Sequence, residues 1–175
     1  MTEPASSAPS APAATEPPPL NLSKLLADGL AKSDVIWLRT PDRTQLVWHA
    51  YDRDAILVVT GPGEQTIAPL PESVDVVIRS KDTGSRLLTI SCVTLILDTS
   101  EPMWETAAAA LAAERLNATD DQIERWRTEG TIYVLHPYGA PTDRPGAYPA
   151  TSGAARFAPG RATTSRLRPR HVGGR

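Results

Sequence analysis

Three β-rich runs follow one another almost without pause: DVIWLRT (34–40), TQLVWHAY (44–51) and AILVVT (55–60), separated only by PDR and DRD. Turns that short leave no room for a crossover, so the runs are predicted to pair as antiparallel hairpins, a meander. Whatever else this chain does, its fold has to be built around that antiparallel sheet.

The flanking segments extend the pattern. The loop GPGEQTIAPLPES (61–73) leads into VDVVIRS (74–80), and KDTGS (81–85) is predicted as a hairpin turn into RLLTISCVTLILD (86–98). In that long run Leu88, Ile90, Cys92 and Ile96 are apolar on one alternation, and Leu87, Val93, Leu95 and Leu97 on the other. Such a strand is expected to be covered on both faces, by a barrel core on one side and by a helix or a second subunit on the other. Ahead of the strands, Leu22, Leu25, Leu26 and Leu30 fall at helical intervals, with Asn21 as N-cap. After them the period changes to helical. Ser100 can cap and Pro102 suits a first turn. MWETAAAALAAERL (103–116) is strongly helical, places Trp104, Ala108 and Leu111 on one face, and can end at Asn117. TDDQ (119–122) matches a capping box for a second helix, packed through Ile123 and Trp126 and stopped by Gly130. TIYVLHP (131–137) is the last predicted strand. The expected class is α+β, mainly β: a six-stranded antiparallel barrel, closed or half-closed, with one N-terminal helix and two helices before the last strand.

The two ends differ from this middle. Residues 1–19 are Pro, Ala and Ser with little apolar bulk and are predicted disordered, as is an Arg-rich tail over 139–175. The folded domain is expected over 20–138, about 120 residues, enough to bury around two thirds of its unfolded surface. The net charge of -2 hides an asymmetry: 17 acidic against 11 basic residues in 20–140, and one Asp against seven Arg in 141–175. The basic tail is a solvated segment or a weak electrostatic arm. Without interleaved aromatics or a recognition motif, nucleic acid is not an expected partner. Cys92 is the only cysteine, which excludes an intrachain disulfide and a thiolate zinc cluster and points to the cytoplasm. The N-terminus lacks the basic start and apolar segment of a signal peptide. No apolar run approaches the roughly 20 residues that span a bilayer.

The stretch ILVVTGPGEQT (56–66) raises the question of function. Its hydrophobic run stops at Thr60, and Gly61, Pro62 and Gly63 follow. It is not a Walker loop, and it does not open a helix as a dinucleotide fingerprint does. The three histidines lack metal-ligand spacing, so no metal is expected. No nucleophile elbow is present, and no catalytic residue can be named. The acidic pairs DRD and TDD suit a turn and a helix start.

DVIWLRT, LVWHAYDRDAILVVTGPGEQ, VDVVIRSKDTGSR and MWETAAAALAAERLN, in that order over most of residues 34–117, resemble the FMN-binding split-barrel, or pyridoxamine 5'-phosphate oxidase-like, family, in an actinobacterial-type form. The resemblance implies a six-stranded split β-barrel, a homodimer, and FMN or a deazaflavin (F420-like) bound between subunits. It also implies an oxidoreductase, with the redox chemistry carried by the isoalloxazine. The cofactor phosphate would sit against Thr60, Gly61, Gly63, Gln65 and Thr66. Where the family has Lys or Arg in this loop, the chain has Glu64, a poor neighbour for a phosphate. Arg79 and Lys81, two apart and so on one side of their strand, would then supply the charge, with His49 or Trp48 near the ring. The alternative is a degenerate barrel that has lost the cofactor and binds a ligand or partner without catalysis, which Glu64 favours.

Overall fold

Residues 20–147 are described by a computed structural model of the chain. The tail predicted over 1–19, and the part of the Arg-rich tail beyond 147, lie outside the described residues. The elements in chain order are α1 (Leu22–Lys32), β1 (Val35–Arg39), β2 (Thr44–Trp48), β3 (Ala50–Asp52), β4 (Ala55–Thr60), β5 (Ser73–Arg79), β6 (Arg86–Ile96), α2 (Pro102–Glu114), α3 (Gln122–Glu129) and β7 (Thr131–Asp143). The strands form one antiparallel sheet in the order β2-β1-β5-β6-β7-β4-β3, curled into a half-barrel.

The sheet therefore has seven strands, where six are expected from the sequence. The extra strand arises because TQLVWHAY is cut at His49. Residues up to Trp48 pair with β1, as in Val35↔Trp48, and residues from Ala50 pair with β4, as in Ala50↔Leu57. The two outermost strands of the sheet are thus consecutive pieces of one extended run, and this brings the two edges together. Gln65 holds the switch. Its Oε1 accepts from Trp48 N at 2.8 Å, and its Nε2 donates to Trp48 O at 2.9 Å and to Val59 O at 3.2 Å. A side-chain amide stands in for the missing strand neighbour and satisfies backbone groups that the break would orphan. Gln65→Ala is expected to lose about 2 kcal/mol, because unpaired buried backbone groups cost about 1–3 kcal/mol each and these are partly exposed. Urea unfolding checks this; a loss under about 0.5 kcal/mol would mean the switch is held by other contacts.

Period-two alternation sorts β4 between two cores. Ile56 and Val58 face the barrel interior with Leu38, Val76, Leu88 and Leu135, while Leu57 and Val59 face α2 and α3 with Trp104, Leu111 and Trp126. The helical face read from the sequence is confirmed: Trp104, Ala108 and Leu111 are all buried. The long β6 is covered along its core face, but on its other face only near its start, where Thr89 is buried and Leu87 half-buried. Leu88, Ile90 and Cys92 are buried, whereas Val93 and Leu95 are 41% and 49% exposed, because the helical layer covers β3, β4 and β7 instead.

Three local expectations change. Ser100 does not cap α2; its N–H and hydroxyl both donate to Asp98 Oδ1, and Glu101 precedes the first turn. The capping box at α3 does not form, since Thr119 donates to Asp121 and the Gln122 side chain turns inward. The last strand runs to Asp143, past its expected end. The Asp143 carboxylate is buried and accepts from Arg86 Nη1 and Thr89 Oγ1, both at 2.9 Å, which pins the extension.

Candidate functional site

The loop after β4 is knitted together by its own polar groups. Thr60 Oγ1 donates to Gln65 O at 2.9 Å and accepts from Ile67 N at 3.2 Å, and Glu64 N donates to Gly61 O at 3.0 Å. Gly61 is required by proximity: a Cβ there would lie 3.0 Å from Gly130 Cα and 3.1 Å from Glu129 O. Gly63 has φ +77° with open space around it, the left-handed turn that glycine accepts freely. Thr66 is exposed.

Glu64 points inward. Its side chain is fully buried. Arg115 Nη1 donates to Oε2, while Gln122 Nε2 and Trp126 Nε1 donate to Oε1 at 2.8 and 2.9 Å. Arg115 Nη2 also reaches Gly63 O at 3.3 Å. Gln122 is itself oriented, because its Oε1 accepts from Arg125 Nη2 at 2.7 Å. The loop is thereby fastened to the end of α2 and the first turns of α3. The sequence reading missed Arg115, Gln122, Arg125 and Trp126 as partners of this loop. The available signal was Glu64 itself, a carboxylate in a tight loop that needs a cation from elsewhere in the chain.

The remaining expected site residues fall into two places. Trp48 lies beside the loop through Gln65, and its ring sits 6.5 Å from that of Trp126 at 37°. His49 follows at the strand switch, only 4% exposed. Its Nε2 donates to Leu30 O at 3.3 Å, and its Nδ1 is buried without a partner. Arg79 and Lys81 leave the other end of β5, where Lys81 Nζ bonds Asp34 at 3.0 Å and Arg79 is exposed. Among the described residues, the cation that bonds the loop is Arg115, not either of these. The inner side of the loop does not fit a phosphate: the Thr60 hydroxyl and the Gln65 amide are bonded internally, and Arg115 already holds a buried carboxylate.

Burial drives the His49 pKa down from about 6.5 to about 4. The folded ring is then neutral where the unfolded ring would charge, so the unfolded chain binds the extra proton between those values. The stability from the neutral ring is complete above pH 6.5 and is lost as pH falls toward 4, about 3 kcal/mol in all. The stability difference between wild type and His49→Leu should follow that slope. A difference that is flat from pH 7 to pH 4 would overturn it.

Among the described residues no helix is long and apolar enough to cross a membrane. No family model and no curated protein sequence matches the chain. Solved structures do. The heme storage protein HutZ from Vibrio cholerae is similar with 12% identity over 69% of this chain and 93% of its own, at a TM-score of 0.51. A conserved hypothetical protein from Mycobacterium tuberculosis is similar with 18% identity over 69% of this chain and 82% of its own, at 0.50. The likeness to these structures shows that the antiparallel half-barrel of this chain has the split-barrel fold of pyridoxamine 5'-phosphate oxidase-like proteins.

Proposed function

We propose that this chain is a non-catalytic split-barrel binding protein that works as a homodimer and holds its ligand or partner without anchoring a flavin phosphate. The observation that carries this reading is the buried Glu64 carboxylate, which engages Arg115, the guanidinium at the loop among the described residues, where a cofactor phosphate would need it. HutZ, a heme storage protein, is a precedent for ligand storage on this fold.

The dimer is supported by the uncovered face of β6. Val93 and Leu95 project from it two residues apart, and Tyr138, opposite Ser91 on β7, is 49% exposed. Exposed apolar side chains grouped on one sheet face are the kind of surface that associates. Sedimentation velocity at micromolar concentration should give a dimer, and Leu95→Asp should shift it to monomer. A monomeric wild type would remove the dimer from the reading.

The second reading is an FMN- or deazaflavin-dependent oxidoreductase. Gly63 and Thr66 on the outer side of the loop, and Arg79 at the end of β5, remain exposed and favour it. Titration of the purified protein with FMN and with deazaflavin, followed by visible absorbance and fluorescence, separates the two. No binding at micromolar cofactor is the expected result, and saturable binding would replace the first reading by the second.

A further inference from the structure

We propose that Arg115, Gln122 and Trp126 form a carboxylate-binding cradle in its own right, and that Glu64 is its tethered ligand. The cradle presents donors only. A guanidinium and an indole N–H have no acceptor to offer. The Gln122 amide has both kinds of group, but Arg125 Nη2 occupies its Oε1 at 2.7 Å and leaves its Nε2 facing the site. Gln122 and Trp126 are each 1% exposed, so water does not satisfy these donors in place of an anion. Three donors from two helices converge on the two oxygens of one carboxylate, with 2.8 and 2.9 Å for the neutral pair. The charged donor, Arg115, completes the set.

The carboxylate arrives on a loop, while the donors come from α3 and from Arg115, the residue that ends α2. Gly63, next to Glu64, has open space around its Cα. The donor set is therefore built into the helical layer, and the loop fills it. A carboxylate on the same chain competes at an effective concentration on the order of millimolar or above. Free carboxylates at lower concentration leave the wild-type site occupied by Glu64. With the Glu64 side chain cut back to Cβ, the lost fragment has the shape of acetate, and the cradle should take acetate from solution. This inference stands independently of the ligand of the barrel, because flavin titration does not touch it.

The test is thermal unfolding of Glu64→Ala in sodium acetate and in sodium chloride at equal ionic strength. The variant should melt about 10 °C below wild type, the scale set by opening a buried ion pair. Roughly 100 mM acetate should restore about half of that loss along a saturable curve, as binding to the folded state requires. Chloride, and the bulky pivalate, should not. Adding Arg115→Ala should abolish the acetate effect. Equal curves in acetate, chloride and pivalate would overturn the proposal. If Glu64→Ala does not fold, Glu64→Gln decides the matter. Its amide is the same size but turns an N–H₂ or a neutral oxygen toward a donor-only site. The proposal expects it to melt well below wild type, and a Gln variant as stable as wild type overturns it.

Discussion

Arg115→Ala is expected to lower the stability of the folded chain by about 3–5 kcal/mol, the cost of stranding a buried charge. The Glu64 side chain is fully buried, whereas that of Arg115 is 20% exposed. Removing the arginine leaves the carboxylate with two neutral donors and no counter-ion. It also loses the bond to Gly63 O. The two partners act as a unit, so Arg115→Ala combined with Glu64→Ala should cost clearly less than the two single losses together. Urea unfolding followed by tryptophan fluorescence reads all three variants. A single-variant loss below about 1 kcal/mol would place this pair with ordinary surface ion pairs.

Trp104→Ala is expected to cost about 3–5 kcal/mol, as truncation of a fully buried aromatic does. Trp104 is 1% exposed and lies in the second core, between α2 and the sheet face formed by Leu57, Val59 and Val134. The Arg127 guanidinium sits 4.3 Å above its ring centroid and also pairs with Glu105, so α3 is attached to α2 partly through this ring. The alanine variant leaves a cavity and frees Arg127. Trp104→Phe, which keeps a ring in place, should lose roughly half as much. Differential scanning calorimetry distinguishes them. Equal losses for Ala and Phe would show that the cavity is not the source of the effect.

Much of this architecture is legible in the sequence because it follows from local period and turn chemistry. The meander, the two late helices and the buried stripe of Trp104, Ala108 and Leu111 depend only on residues close together in the chain. What escapes is set by distant partners. TQLVWHAY reads as one unbroken β-rich run, and nothing within it marks His49 as the point where pairing changes. That point is fixed by Gln65, which bonds Trp48 from the loop after the next strand. TDDQ has the letters of a capping box, but Gln122 is taken by Glu64 and Arg125. The end of β7 is set by Asp143 meeting Arg86 and Thr89 across more than fifty residues. At the candidate site the sequence singles out the loop after β4 and the odd residue in it. Thr60, Gly61 and Gln65 are brought together there, yet their polar groups face one another, and Glu64 faces inward to residues on two helices. No spacing rule within the loop could reveal a counter-ion placed 51 positions away.

The position of β7 in the sheet bears on how the chain is made. It is the last element described, yet it lies between β6 and β4, with paired neighbours on both sides. Until it has been synthesised, β4 and β6 each present an unpaired edge, and the barrel exists only as two separate groups of strands. Loop closure over so many residues is slow, and open edges in a partly made chain are sites of wrong association. A newborn chain stopped before Thr131 would carry two such edges, so the hazard ends only when the final strand inserts.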